Sequence, residues 1–368
     1  MYSIGLMSRT LGRKAFKGRG TLSNPPGRFE RQDIEEVHDG WYEEDQPDTI
    51  ATSIEPDRAR GIITRNDSPD IPFEQSINPY RGCEHGCVYC YARPSHAFMG
   101  LSSGIDFETR LFYKADAGRV LEEELAKPRY VCKPITIGAN TDPYQPIERQ
   151  MQVTRAVLEV LARTRHPASI ITKSAMVLRD MDLLVDMARD NLVSVAISIT
   201  TLSPETKRVL EPRTASPQAR LRALRELNAA GVPTGVMVAP IIPAITDHEM
   251  EAILEAAVAG GARWAGYTIV RLPYEIKDLF RDWLTQHFPD RAAHVMSLIR
   301  DMRGGRDYDS KFGERMRGTG PIADLLRSRF KMACKRLGLN SGSREMPDRT
   351  ELFRPPSRGS SPQLQLGF

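Results

Sequence analysis

The fold of this 368-residue chain is decided by the stretch Gly82-Cys83-Glu84-His85-Gly86-Cys87-Val88-Tyr89-Cys90-Tyr91. Its three cysteines have the spacing C-x3-C-x2-C. Thiolates are the usual ligands of iron–sulfur clusters, and a cubane cluster normally takes four of them. Three ligands on one loop leave one iron without a protein ligand, which is the open position that a catalytic metal site keeps. Gly82 and Gly86 allow the loop to curl around a cluster.

A zinc site is the alternative interpretation of these cysteines, with His85 or His96 as the fourth ligand. The chain contains five cysteines, and three of them fall within this one loop. That distribution does not resemble a disulfide framework, and it favours metal or cluster ligation in a reducing compartment. We therefore expect a cytoplasmic protein.

The composition is that of an ordinary globular protein, with 40% hydrophobic and 27% charged residues. A net charge of +4 does not by itself indicate a nucleic-acid partner. The sequence contains no apolar run long enough for a membrane span, so no membrane partner is expected.

The organisation changes along the chain. Residues 1–70 lack periodicity and contain turn signals and an acidic run, which predicts an N-terminal arm that is partly disordered. Within residues 71–272, short β-rich runs alternate with helical stretches, which predicts βαβ units and a parallel sheet. The predicted strands are 74–79, 135–139, 169–172, 193–199, 234–239 and 266–270. Six such units fit both an open doubly wound sheet and a partial barrel.

The C-terminal part has two sections. Residues 273–340 are predicted to form a basic extension of two or three helices. Basic residues outnumber acidic ones over 300–340, which is typical of a surface that follows a nucleic-acid backbone but equally of a solvated helix face. Residues 341–368 are rich in Ser, Pro, Arg and Gly, and we expect a disordered tail.

The cysteine spacing, with an aromatic residue before the last cysteine, resembles the signature of the radical S-adenosylmethionine (SAM) superfamily. The resemblance implies an α/β fold, a partial (β/α)6 barrel of radical SAM type, here with an N-terminal arm and a C-terminal helical extension. It implies a [4Fe–4S] cluster on Cys83, Cys87 and Cys90 whose unique iron binds SAM. Reductive cleavage of SAM then gives a 5′-deoxyadenosyl radical that abstracts hydrogen from a substrate. An electron donor such as flavodoxin or ferredoxin is implied as well.

Four further sequence segments resemble those of the spore photoproduct lyase-like branch, also called DNA repair photolyase, and of a bacterial radical SAM group within it. They are 76–82, 140–146, 171–174 and 315–320. Resemblance to the group covers roughly 20–340, and resemblance to the lyase covers the barrel, roughly 75–270.

The lyase resemblance implies six SAM contacts. Tyr89 and Tyr91 would pack against the cluster and the adenine. Thr141 would help to hold the methionyl amino group, and Lys173 would pair with the methionyl carboxylate. Taken alone, Lys173 would equally be a solvated lysine at the start of a helix.

Ser198 on the fourth strand would contact the ribose, and the backbone of Ala239 on the fifth would contact the adenine. Functional groups of a βα barrel gather at the C-terminal ends of its strands, where Thr141, Lys173, Ser198 and Ala239 are all predicted to lie. The agreement of four positions with one template favours a SAM site over four unrelated strand-end residues.

The lyase also uses a cysteine after its second strand as a hydrogen donor, and that position falls at about Ala139 here. Cys132 lies seven residues earlier, at the entry of the strand, where a small buried hydrophobe is the alternative to a donor. Cys334 is expected to be structural. The resemblance therefore does not imply that this chain catalyses the lyase reaction itself.

Other residues have two interpretations each. Asp142 and Glu148 would hold substrate or SAM, or Asp142 would cap a turn before a proline. Arg213 would bind substrate phosphates. Tyr274 would relay a radical or would be a packing residue.

The last six residues, Gln363–Phe368, resemble the short peptide that binds the bacterial sliding clamp. The leading hypothesis is a radical SAM enzyme that acts on nucleic acid, with a DNA lesion as one candidate substrate. The alternatives are a radical SAM enzyme acting on RNA, a peptide or a metabolite, and a cluster-bearing binding protein without catalysis.

Overall fold

The computed structural model describes residues 16–29, 49–342 and 347–356. The strands are β1 (Ser53–Pro56), β2 (Ile63–Arg65), β3 (Gln75–Ile77), β4 (Tyr80–Arg81), β5 (Arg110–Tyr113), β6 (Ile135–Ile137), β7 (Ala168–Thr172), β8 (Val193–Ser198), β9 (Thr234–Ile241) and β10 (Trp264–Ile269). The helices are α1 (Asp106–Thr109), α2 (Ala117–Leu125), α3 (Glu148–Met151), α4 (Val153–Arg163), α5 (Met181–Ala188), α6 (Pro204–Leu210), α7 (Pro217–Ala229), α8 (Met250–Ala259), α9 (Ile276–His287), α10 (Pro289–Asp301) and α11 (Gly320–Leu337).

Six parallel strands form the main sheet in the order β3, β6, β7, β8, β9 and β10, and β2 joins β3 antiparallel at the outer edge. The strands β3, β6 and β8 are buried along their whole length, as expected of parallel strands covered on both faces. The end strands β10 and β2 do not pair, so the sheet stays open. This confirms the predicted partial barrel.

The helices between the strands bury one face, and two of them, α6 and α7, begin with a serine whose side chain caps the helix. In α4, Val153, Val157 and Leu161 are buried at helical spacing and face the sheet side. The hydroxyl of Ser216 accepts a hydrogen bond from the Ala219 backbone N–H at the start of α7, which satisfies one of the free donors there. These local signals explain why the predicted alternation of strands and helices is correct.

A segment of the C-terminal extension covers the open side of the sheet. The carbonyl of Met316 accepts a hydrogen bond of 2.9 Å from the N–H of Ile269 on the free edge of β10. Arg315 pairs at 2.6 Å with Asp70, which lies in the turn between β2 and β3. The segment thus joins the two edges that the sheet itself leaves apart.

The extension contains three helices, α9 to α11. Most of its arginines over 300–340 are already engaged: Arg300 with Asp307, Arg303 with the carbonyls of Val270 and Glu314, Arg327 with Asp324, Arg329 with Glu251 and Arg336 with Glu255. These contacts favour the solvated helix face over a track for a nucleic-acid backbone.

The predicted disordered tail needs a correction for residues 347–356. Phe353 packs on the rings of Tyr130 and His166, with centroid distances of 5.6 and 5.2 Å. The N–H of Arg354 donates to the carbonyl of Thr164 at 2.8 Å. One aromatic side chain thus orders a segment whose composition predicts disorder. The sliding-clamp-like peptide Gln363–Phe368 lies outside the described residues.

A small second sheet, in the order β1, β5, β4, lies beside the barrel and was not predicted. Its strand β1 is mostly exposed and has no alternation of apolar residues, so its sequence carries no strand signal. Among the described residues, no helix has the length and apolar character needed to cross a bilayer.

Candidate active site

The cysteine loop follows β4 at the C-terminal end of the barrel. Cys83 and Cys87 are buried, Cys90 is half-buried, and all three thiols are free. Gly82 and Gly86 have φ values of 75° and 68°, the left-handed conformation in which glycine carries no steric penalty. The two glycines therefore allow the tight curl that the sequence predicts.

The three thiols interact electrostatically. Burial raises the pKa of Cys83, and the charges of Asp142, Cys87 and Cys90 raise it further. Burial is also the main cause that raises the pKa of Cys87 and of Cys90. Thiolates grouped in this way require a compensating cation, and the irons of a cluster provide it.

The zinc interpretation has a stricter geometric requirement. Within the described ranges, no three Cys, His, Asp or Glu side chains are grouped tightly enough to hold one metal ion. In a cubane cluster each thiolate binds a different iron, so the ligands need not converge on one point.

The N-terminal segment 16–29 lies directly on the cysteine loop. The buried carboxylate of Glu108 accepts hydrogen bonds from the backbone N–H groups of Gly20 and Thr21, at 2.9 and 3.1 Å, and pairs with buried Arg93 at 2.5 Å. A Cβ at Gly20 would overlap the carbonyl oxygen of Gly86 in the loop. The arm thus covers the loop from outside, held by one buried carboxylate.

Three of the six predicted SAM contacts meet at the strand ends. The ammonium of Lys173, directly after β7, donates to the carbonyl of Ala239 on β9 at 2.8 Å. It lies 5.9 Å from the ring centroid of Tyr89. It is also 3.4 Å from the hydroxyl of Thr200 and 3.6 Å from the carboxylate of Glu211.

Glu211 was not among the predicted site residues. Its carboxylate is fully buried and accepts from the hydroxyls of Tyr89 and Thr200, and it forms an ion pair with Arg220, which is also buried. Burial by itself raises the pKa of Glu211, but the Arg220 and Lys173 charges and the hydrogen bonds outweigh it and lower the pKa well below the ordinary value. The site therefore contains a permanent negative charge beside the lysine.

The other predicted contacts lie at the same end of the barrel but do not touch Lys173. The hydroxyl of Thr141 donates to the carbonyl of Tyr80 at 2.8 Å. Ser198 ends β8 and is buried, and its carbonyl accepts from Arg220 at 3.0 Å.

Tyr91 is 45% exposed, and its hydroxyl donates to the carbonyl of Ala139. The guanidinium of Arg271, which follows β10, stacks over the Tyr91 ring at 4.4 Å. Of the two cysteines outside the loop, Cys132 is half-buried before β6 and Cys334 is buried in α11.

The turn interpretation of Asp142 is confirmed, because its carboxylate accepts from the N–H of Tyr144 at 2.9 Å. The same carboxylate lies 3.4 Å from the imidazole of His85. Burial raises its pKa, but His85 and the hydrogen bonds outweigh that effect and lower it. Glu148 is fully buried and bonded to Tyr80 and Arg179 within the protein.

Arg213 lies against the cysteine loop, at residues that fall between two of its cysteines. It pairs with Glu84 at 3.1 Å, and its N–H donates to the carbonyl of His85. A cleft of about 670 Å³ lies here, lined by Glu84, His85, Arg213 and Arg149 among others. The cleft lining also includes Ser174, Ala175 and Met176, which directly follow Lys173.

The sequence and the fold are both similar to those of known proteins. The model of the radical SAM superfamily matches residues 77–257. An uncharacterized protein of Mycobacterium tuberculosis is 35% identical over 62% of this chain and 68% of its own length. A radical SAM Nalpha-GlyT isomerase of Pseudomonas phage M6 is 23% identical over 72% of this chain and 51% of its own length.

Among solved structures, spore photoproduct lyase in complex with dinucleoside spore photoproduct has a TM-score of 0.56 at 16% identity, over 78% of this chain and 80% of the lyase. That likeness concerns the fold. Together with the cysteine loop and the matched sequence model, it leads to one conclusion: the chain belongs to the radical SAM superfamily, and its cofactors are a [4Fe–4S] cluster and SAM.

Proposed function

We propose that this radical SAM enzyme abstracts hydrogen from a nucleic acid, with a DNA lesion as the substrate in a lyase-like reaction. The observation that carries the proposal is the shared fold with spore photoproduct lyase, whose solved complex holds a dinucleoside photoproduct. In this chain, Lys173 and Ala239 meet at the ends of β7 and β9, in a sheet that stays open.

When bound, the cluster and SAM supply a 5′-deoxyadenosyl radical. Cys83, Cys87 and Cys90 would hold the cluster. Lys173 would orient SAM through its carboxylate, and Glu211 would keep the ammonium in place because it lies 3.6 Å away as a fixed negative charge.

Four other residues complete the proposed SAM site. Thr141 would hold the amino group, Ser198 the ribose and the Ala239 backbone the adenine. Tyr91 would close the site from the exposed side, because its hydroxyl bridges to Ala139.

We also propose that the protein electron donor docks at the cleft outside the cysteine loop. The cleft wall is formed by Glu84 and His85, which lie between two cluster ligands. Arg213 and Arg149 supply positive charge there, and opposite charge on the partner would speed the encounter.

We also propose a division of the chain into four parts: an arm over 1–70, a core over 71–272, a helical extension over 273–340 and a tail over 341–368.

The test is anaerobic turnover of the reduced holoenzyme with SAM and irradiated DNA, with 5′-deoxyadenosine and altered bases measured by chromatography and mass spectrometry. Lys173→Met should weaken SAM binding about 10- to 100-fold, because it removes a charge-assisted hydrogen bond. The matched control is Lys127→Met, since Lys127 is exposed beyond the end of α2.

Two outcomes contradict the proposal. The proposed substrate would be wrong if 5′-deoxyadenosine forms without any change in DNA while a peptide or metabolite is altered. No 5′-deoxyadenosine under any condition would overturn the enzymatic role.

A further inference from the structure

Exposed aromatic side chains are concentrated at one place on this molecule. Among the described residues, five large aromatic side chains are exposed: Phe29, Tyr91, Phe98, Tyr274 and Phe312. All except Phe312 lie where the cysteine loop and its following helix meet the end of β10. Water-exposed aromatic groups in one patch mark an interaction surface.

The patch is organised around Arg28. Its guanidinium lies 4.8 Å from the ring centroid of Phe29, 5.2 Å from that of Phe98 and 4.4 Å from that of Tyr274. Phe29 and Phe98 also pack on each other at 5.5 Å. We call Arg28, Phe29, Phe98, Tyr274 and the adjacent pair of Tyr91 and Arg271 the aromatic rim.

The aromatic rim borders the proposed active site. Tyr91 follows the cluster ligand Cys90, and Arg271 stacks on it from the segment after β10. Tyr274 comes three residues after Arg271, with a φ of 54° that an aromatic residue rarely adopts. Such backbone strain is typical of functional sites. The rim therefore lies beside the cysteine loop, at the β10 end of the open sheet.

The cations of the rim are incompletely neutralised. A guanidinium nitrogen of Arg28 is buried without a hydrogen-bond partner and lies 3.6 Å from the nearest carboxylate, that of Glu275. For Arg271, no carboxylate partner is found within the described part of the chain. This differs from the extension helices, whose arginines are mostly paired.

We propose that the aromatic rim binds an unpaired nucleic-acid strand and guides it into the barrel mouth. Bases of a single strand stack on exposed aromatic faces, while arginines hold the phosphates. A paired duplex hides its base faces and would leave Tyr274 and Phe98 without partners. The exposed aliphatic side chains Val131, Leu325 and Met332 lie elsewhere, so the rim does not form an apolar groove for a peptide.

This inference rests on the proposed function for the substrate class, and it adds the form of the nucleic acid and its binding surface. An enzyme acting on a base must reach it outside the helical stack. A rim that holds unpaired bases next to Tyr91 and Cys90 meets that requirement.

The experiment is fluorescence anisotropy of the full-length holoenzyme with a labelled single-stranded oligodeoxynucleotide and with the same strand annealed to its complement. The single strand should bind more tightly. Phe98→Ala and Tyr274→Ala should each weaken that binding about 5- to 150-fold, as expected for the loss of one stacked base. Arg28→Gln and Arg271→Gln should each lower the slope of log affinity against log salt by about 0.7.

Phe312→Ala is the matched control, because Phe312 is 54% exposed and carries Arg315 over its ring at 4.6 Å, outside the rim. It should bind the single strand as the wild type does. Phe98 is 74% exposed, so its replacement tests the rim without disturbing the core. Equal affinity for duplex and single strand, or equal losses in Phe312→Ala and the rim variants, would overturn the inference.

Wild-type cleavage of SAM, measured separately with dithionite, separates the two proposals. Cleavage without single-strand binding would reject the inference alone. Single-strand binding without cleavage would reject the enzymatic function alone.

Discussion

Replacing Glu211 with glutamine removes one buried negative charge while preserving the shape of the side chain. In the wild type this carboxylate neutralises Arg220, whose side chain is 1% exposed. It also accepts from the hydroxyls of Tyr89 and Thr200 and faces Lys173. The variant therefore leaves a buried guanidinium without its counter-charge and the lysine without its neighbour.

The expected magnitude follows from burial. Removing one partner of a fully buried ion pair costs about 3–5 kcal/mol of unfolding free energy, because the remaining charge stays desolvated. An exposed pair is worth only about 0.3–0.5 kcal/mol. On the same helix α7, the pair of Arg222 and Glu226 is half-exposed on both sides and provides the matched control.

The assay is urea unfolding of the apoprotein, followed by circular dichroism, for wild type, Glu211→Gln and Glu226→Gln. We expect Glu211→Gln to lower the free energy of unfolding strongly and Glu226→Gln to lower it by no more than about 0.5 kcal/mol. The double variant Glu211→Gln/Arg220→Met should recover part of the loss, since it removes the unpaired charge as well. Equal stability of the two single variants would refute the central role of this ion pair.

The pH dependence gives a second readout of the same group. Because the folded state lowers the pKa of Glu211 below its ordinary value of 4.5, its stabilisation is complete above that pH. This stabilisation is lost as the pH falls toward the pKa of Glu211 in the folded state, because the unfolded chain binds the proton at a higher pH. The stability difference between wild type and Glu211→Gln should therefore shrink only below about pH 4.5.

Three other predictions concern the cysteine loop and its surroundings. Cys87→Ala should lose the iron and sulfide that anaerobic reconstitution gives to the wild type, and Cys334→Ala should retain them; equal contents would contradict the assignment of ligands. Gly20→Ala should lift the arm from the loop and speed the bleaching of the cluster in air, whereas Gly342→Ala, which has open space around it, should not. Arg149→Glu should slow reduction by an acidic protein donor more than reduction by dithionite, with an effect that fades at high salt; the same slowing for both reductants would exclude the cleft as the docking site.

The strands and helices of the core could be predicted because they are local signals, whereas the partial barrel was implied by the resemblance of the cysteine loop to the superfamily signature. The run 193–198 is buried throughout and contains three β-branched residues, as expected of a parallel strand covered on both faces, and amphipathic helices separate the strands. The cysteine loop was also predictable, since its three cysteines lie within one short stretch. The small sheet around β1 was missed because exposed, polar strands leave no periodic pattern.

Glu211 could not be predicted in the same way. Its partners come from the cysteine loop, the end of β7, the segment after β8 and helix α7, so only the folded chain brings them together. The one local signal was the position of Glu211 just before Pro212 and Arg213, and of these residues the sequence indicated only the arginine as a candidate. Arg213 pairs with Glu84 of the cysteine loop, a contact that the order of the strands alone does not determine.

The carboxylate of Glu108 has a consequence for the order in which this protein can be built. It fixes Gly20 and Thr21 from a distance of nearly ninety residues along the chain. During synthesis the beginning of the protein emerges long before the group that anchors it, and it must wait unattached. The loop of Cys83–Cys90 is complete in that interval and still uncovered on its outer side. The arm can therefore close over the loop only after Glu108 has been made.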